Sequence, residues 1–254
     1  MRHFMQILAM LSVMCLAVPA LAHFGMVIPS ADQATQTRKT LDVTLSFSHP
    51  FGGDGMELVK PKAGVFFKGN YTDLSGTLQK TTVMDHTAWK TAYPFKRPGV
   101  YAFVMEPKAY WEPAEDCFIV HLTKTYVPAF GGDEGWDEPL GLQAEIVPLT
   151  RPFGNYAGNV FTGQVLYKGK PVPGAEVEVE LYNKGRFTMP TEYHETQVVL
   201  ADEGGVFTFA CPQAGWWGFA ALMTADYQLE APGGLGKKDV ELGAVLWTYM
   251  SAWK

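Results

Sequence analysis

Catalytic signatures are what this sequence of 254 residues lacks. It has no G-x-S-x-G elbow for a nucleophilic serine, no H-E-x-x-H pair for a zinc hydrolase, and no glycine-rich phosphate loop opening a helix. Basic charge is also short: 20 Lys and Arg stand against 26 Asp and Glu, a formal net charge of −6. A nucleic-acid binder would carry a basic patch, so that class is set aside, and cations or neutral ligands suit the balance better. Cysteine is limited to Cys15, Cys117 and Cys211, without zinc-finger spacing. Beyond residue 22 no run reaches the ~20 apolar residues that a membrane-crossing helix needs.

The amino-terminal stretch has what the rest lacks. Arg2 and His3 precede an apolar run over residues 7–21, closed by Ala20-Leu21-Ala22. Charged start, apolar middle and small-residue site predict a signal peptide over 1–22 and a secreted protein whose first residue is His23. An α-amine has a pKa of about 7.7–8.0, low enough for a metal to displace its proton near neutrality. Amine and imidazole Nδ1 can then chelate one ion. Gly25 in third position excludes the amino-terminal copper/nickel motif that needs histidine there. The plainer alternative is that His23 merely follows the cut. Cys15 leaves with the signal; Cys117 and Cys211 either pair between the two halves in an oxidising compartment or stay as two buried thiols.

The remainder reads as all-β, in two β-sandwich domains over 23–150 and 151–254, divided at Pro148-Leu149-Thr150-Arg151-Pro152. Leu41, Val43, Leu45 and Phe47 alternate with polar residues, the period of a half-buried strand. Further strands are expected over 64–68, 77–84, 99–106, 117–127, 159–167, 206–210, from 215 onward and over 239–250. Val177, Val179 and Leu181 alternate with Glu176, Glu178 and Glu180, which predicts one buried face and one wet face. Residues 107–116 and the acidic, glycine-rich 130–138 read as turns; the latter lacks the calcium-loop spacing. Glu112, Glu115 and Asp116 read as charge on a loop. No helical period stands out.

His49, His86 and His121 fall in the first half with His23, and His194 in the second. None forms an i, i+2 or i, i+4 pair, so a site would be assembled from several strands. Imidazole and terminal amine suit nickel, cobalt, copper or zinc better than magnesium or calcium. Met26 and Met56 can add a thioether and Glu57 a carboxylate. Their plainer readings are core filler, surface charge and, for His121, a hydrogen-bonded structural histidine.

Several segments resemble a known family: Ser48-His49-Pro50-Phe51, Tyr110-Trp111-Glu112-Pro113, Ile119-Val120-His121, Glu134-Gly135-Trp136-Asp137-Glu138, Pro171-Val172-Pro173-Gly174 and Gly215-Trp216-Trp217-Gly218. The chain is similar to secreted proteins grouped as a domain of unknown function and described as periplasmic accessory components of nickel/cobalt energy-coupling-factor transporters. The resemblance implies a non-enzymatic periplasmic protein with two β-sandwich domains, the second transthyretin-like or carboxypeptidase-regulatory-like. It implies capture of Ni(II) or Co(II) and delivery to membrane transporter subunits. It implies His49 and His121 as ligands with His23 as third, and His86 and Glu57 behind them.

Two other readings stand beside it. His23-Phe24-Gly25-Met26 also resembles the start of copper-dependent polysaccharide monooxygenases, whose terminal histidine and a second histidine brace copper. A metal-free adhesion or binding module built on the second half is the other.

Overall fold

The structure, a computed structural model, describes residues 23–253. The expected signal peptide, its cleavage after Ala22 and the terminal amine of a cut chain lie outside them. In the first half the strands are β1 (Phe24–Pro29), β2 (Thr40–His49), β3 (Asp54–Met56), β4 (Lys62–Phe67), β5 (Asn70–Asp73), β6 (Gln79–Val83), β7 (His86–Pro94), β8 (Gly99–Glu106), β9 (Tyr110–Glu112), β10 (Cys117–Ala129) and β11 (Ala144–Pro148). The second half contributes β12 (Asn155–Tyr156), β13 (Val160–Tyr167), β14 (Lys170–Pro171), β15 (Glu176–Leu181), β16 (Gln197–Leu200), β17 (Val206–Ala210), β18 (Gly215–Glu230) and β19 (Lys237–Ser251). Helix among the described residues is confined to three short 3-10 turns. The chain is all-β, and its sheets pack face to face.

The expected strands at 41–47, 99–106, 117–127, 206–210 and 239–250 are present within a few residues of their predicted ends. Strands β1, β7 and β11 were not apparent from alternation. In β1 and β11 nearly every residue is buried, so no polar period marks them. The expected turn at 107–116 contains the short strand β9.

Three sheets form three layers. A five-stranded sheet runs β1-β2-β7-β6, with β3 added to β2. A ten-stranded sheet runs β16-β15-β18-β19-β10-β8-β4-β5, with β9 added to β10 and β12 to β19. A four-stranded sheet has β13 between β11 and the pair β14 and β17. The ten-stranded sheet is the middle layer. Its continuity depends on one parallel pairing, β10 with β19, from Phe118 opposite Val240 to Thr125 opposite Trp247.

Strand alternation assigns the two faces of that middle layer. Phe118, Val120 and Leu122 of β10 join Val177, Val179, Phe219 and Leu246 in the core under the four-stranded sheet. Ile119 and Val127 join Tyr101, Phe103 and Met105 in the core under β2, where Leu41, Val43, Leu45 and Phe47 point inward. A smaller cluster ties Phe24 and Met26 of β1 to Trp216, Val245 and Trp247. Both faces of β10 are buried, its polar His121, Thr123, Lys124 and Thr125 included, so its sequence shows no clean apolar/polar alternation.

The predicted wet face of β15 is corrected. Glu176 is exposed, whereas Glu178 and Glu180 are buried. The β2–β3 turn of the first half covers Glu180: Phe51 N–H donates to Glu180 Oε2 at 3.0 Å, and Asn183 N–H donates to the Pro50 carbonyl at 3.2 Å. Sequence alternation reports strand pleat, and a distant turn decides whether the polar side meets water.

Candidate metal centre

β1 and β2 are antiparallel, with Phe24 opposite Ser48, so His23 and His49 meet at the open end of the pair. Their ring centroids lie 4.5 Å apart. His121 reaches the same region from the middle of β10. The Phe47 ring lies between two of them: it stacks on His23 at 5.7 Å and meets His121 edge-on at 5.7 Å.

Two glycines create the room. A Cβ on Gly25 would collide with the Thr123 hydroxyl, and one on Gly243 with the His121 ring. Gly25 thus lets β1 lie against β10, and Gly243 leaves the neighbouring β19 position to the imidazole. Trp247 Nε1–H donates to the Gly25 carbonyl at 2.8 Å, and the Thr125 hydroxyl donates to the Val27 carbonyl, so β1 is fastened to the middle sheet.

Carboxylates face the histidines. His23 Nε2 is 3.4 Å from Glu112 Oε2, and His121 Nε2 is 3.4 Å from Glu241 Oε1. Gly25 N–H donates to His121 Nδ1 at 3.4 Å, which places the neutral ring's proton on Nε2, facing Glu241. These contacts are long for charge-assisted hydrogen bonds, which settle at about 2.7–2.9 Å. Burial first, then the neighbouring His49 and His121, lowers the His23 pKa to about 4, with Glu241 opposing. At neutral pH the His23 imidazole is uncharged and keeps a lone pair. Burial pushes the Glu241 carboxyl up, but the hydrogen bond from His121 and the proximity of the His121 and His23 imidazoles outweigh it and hold it below its ordinary value.

More acid surrounds this group. Burial, followed by Glu241 and Glu180, raises Glu178 to about 8, and its Oε2 has no hydrogen-bond partner. Burial and Glu241 also push the Cys117 thiol up to about 11, far from a reactive thiolate. Cys117 and Cys211 are unpaired, and burial holds the Cys211 thiol well above its usual range.

The other expected residues separate from the three histidines. Glu57 is exposed, accepts from Thr87 N–H at 3.3 Å and has His86 as a neighbour. His86 Nδ1 lies 2.8 Å from the Met84 carbonyl, beside Gly55. His194 sits on a surface turn against the Thr191 hydroxyl at 2.8 Å. Met26 is fully buried and accepts from the Ser48 hydroxyl at 2.9 Å, and Met56 packs on the core under β2. Glu112 and Glu241 are the residues that sequence reasoning missed. A lone acid between Val240 and Leu242, in a strand otherwise reading as buried, was the available signal.

Among the described residues no group of three or more His, Cys, Asp or Glu side chains stands at a spacing that holds a metal ion. The three histidines converge, but His23 and His121 each face a carboxylate rather than a common point.

Residues 20–225 match the family described as Domain of unknown function (DUF4198), and the chain belongs to that family. No match is found among curated proteins. Solved structures of similar shape include a chain of a 1.5-MDa bacterial ice-binding adhesin, at 7% identity and TM-score 0.26 over 91% of this chain and 65% of that one. The D0-D1 domain of intimin follows at 12% identity and TM-score 0.24, over 88% of this chain and 99% of that one. The native α-2-macroglobulin of E. coli has 10% identity and TM-score 0.25, over 91% of this chain and 14% of that one. This chain therefore spans less than two thirds of the adhesin and macroglobulin chains. At such TM-scores none of these likenesses bears on function.

Proposed function

We propose that this DUF4198 protein is a non-enzymatic periplasmic carrier that takes up a divalent transition metal ion, nickel or cobalt, as cargo and passes it to a membrane transporter. The carrying observation is the meeting of His23, His49 and His121 from three strands, with His23 held uncharged at neutral pH. Imidazole nitrogens favour this class of ion over magnesium or calcium. The surrounding Glu112 and Glu241 supply the negative field that draws a cation in and stabilises it once bound.

Uptake requires proton release. An incoming ion competes with the His121 Nε2 proton, and the Glu241 carboxylate 3.4 Å away is placed to accept it. Because the donors are not preset around one point, the side chains must turn toward the ion, which weakens binding relative to a closed structural site. Weak holding suits a cargo that must leave. In a chain cut before His23, the terminal amine adds a further nitrogen donor next to the imidazole.

The test is calorimetric titration of nickel into protein beginning at His23, beside protein carrying one extra alanine ahead of it. One-to-one binding that the extra residue weakens at least tenfold supports the reading. Equal binding by the two would move the site to the internal histidines alone, and no binding by either would end the metal reading.

A further inference from the structure

A cavity of ≈ 270 Å³ opens beside Phe47, between the segment that follows β3 and the one that leads into β9. Phe47, Leu58, Tyr110, Trp111 and Ile119 form its apolar walls, and the Phe47 and Tyr110 rings meet edge-on at 5.5 Å. Two exposed side chains of opposite charge, Glu57 and Lys108, line it as well. They do not pair with each other, and among the described residues neither has an ion-pair partner elsewhere. His121 also lines the space, with both ring nitrogens already turned to Gly25 and Glu241. The charges open to a ligand there are therefore one carboxylate and one ammonium.

We propose that this cavity takes a free α-amino acid with an aromatic side chain, its ring between the apolar walls, its ammonium toward Glu57 and its carboxylate toward Lys108. The volume lies below the ~300–1,000 Å³ of sites for drug-sized ligands, which selects a compact molecule. Aromatic and aliphatic walls favour an apolar body over water, and ring contacts with Phe47, Tyr110 and Trp111 favour an aromatic body over an aliphatic one. The charge pattern then narrows the class. A simple acid would meet Glu57 as a like charge, and a simple amine would meet Lys108 in the same way. An uncharged ring would leave both groups unused. A zwitterion that carries both charges on one carbon, next to an apolar body, matches each of them. No metal ion and no histidine donor takes part, so this binding is separate from the cargo reading.

The experiment is calorimetric titration, without metal, of L-phenylalanine, phenylacetate, phenethylamine, N-acetylphenylalaninamide and L-leucine into protein beginning at His23. The same ligands are titrated into Glu57→Gln and Lys108→Gln, changes at exposed positions that leave the core untouched. The wild type should bind phenylalanine about threefold more tightly than phenylacetate or phenethylamine, each of which gives up one exposed charge contact. The capped amide gives up both and should bind about tenfold more weakly. Leucine should bind about threefold more weakly than phenylalanine for want of ring contacts. Lys108→Gln should hold phenylalanine no better than phenethylamine, and Glu57→Gln should hold it no better than phenylacetate. Phenylalanine that fails to bind the wild type up to its solubility would overturn the proposal. Phenylacetate or phenethylamine binding as tightly as phenylalanine would also overturn it, and the amide doing so would point to an aromatic residue of a peptide instead. Phenylalanine binding that neither variant weakens would place the ligand elsewhere and overturn it as well.

Discussion

Lys124 and His121 lie three residues apart on β10, each 1% exposed, and their surroundings differ in kind. Lys124 Nζ meets Glu145 Oε2 at 2.7 Å, and Glu145 also accepts from the Leu140 and Gly141 N–H groups, each at 3.0 Å. Both oxygens of that carboxylate are used. His121, on the opposite face, has two contacts of 3.4 Å and neighbours that include two further histidines and several carboxylates. A buried charge that is tightly satisfied serves the fold. Buried groups held by long contacts keep capacity for something else, and that contrast separates structure from site on a single strand.

The largest expected effect falls on the satisfied side. Glu145→Ala strands the Lys124 ammonium and should cost about 3–5 kcal/mol in urea denaturation, whereas the double change Lys124→Met with Glu145→Leu, which leaves only the Leu140 and Gly141 N–H groups without their acceptor, should cost less, about 2 kcal/mol. His121→Gln should cost far less stability than Glu145→Ala while lowering nickel affinity at least tenfold. If both single variants unfold alike and nickel affinity is unchanged, the contrast fails.

Next comes Glu178. Its folded pKa, raised from 4.5 to about 8, means that stability is full below about pH 4.5 and falls as pH rises through 8, because the unfolded carboxyl ionises first. Glu178→Gln should therefore gain about 3 kcal/mol over the wild type at pH 8.5 and little at pH 4. Equal stability at both pH values would mean that Glu178 already has a partner. Gly243→Ala should cost about 2 kcal/mol by crowding the His121 ring, and nuclear magnetic resonance should report a displaced imidazole. An unshifted His121 signal would show that the site is roomier than its contacts indicate.

The smallest effect is that of His23. Its depressed pKa contributes stability that is present above pH 6.5 and is lost as pH falls toward 4, because only the unfolded imidazole takes up the proton. The wild type should lose about 1 kcal/mol more than His23→Gln between pH 7 and pH 4. Nickel should leave over the same range as the imidazoles protonate, which equilibrium dialysis would measure.

Much of this was legible in the sequence wherever one face of a strand meets water. Leu41 to Phe47 and Val206 to Ala210 alternate and were readable as strands; β1 and β11, covered on both faces, were not. The histidines were visible by type, but their meeting depends on the β1–β2 register and on β1 lying across β10. Glu112 and Glu241 could not be paired with them, because the pairings of β9 and β19 with β10 have no local mark. Glu180 looked like a surface acid for the same reason: the turn at Pro50-Phe51 that covers it is 129 residues away along the chain.

The parallel pairing of β10 with β19 has a kinetic consequence. β19 is the last strand of the chain and lies at the centre of the middle sheet, and β1 is anchored to it by Trp247 and Gly25 across 222 residues. Contacts so distant in sequence carry a heavy loop-closure entropy and form slowly. The Trp247–Gly25 and His121–Glu241 contacts therefore form only once β19 has docked beside β10.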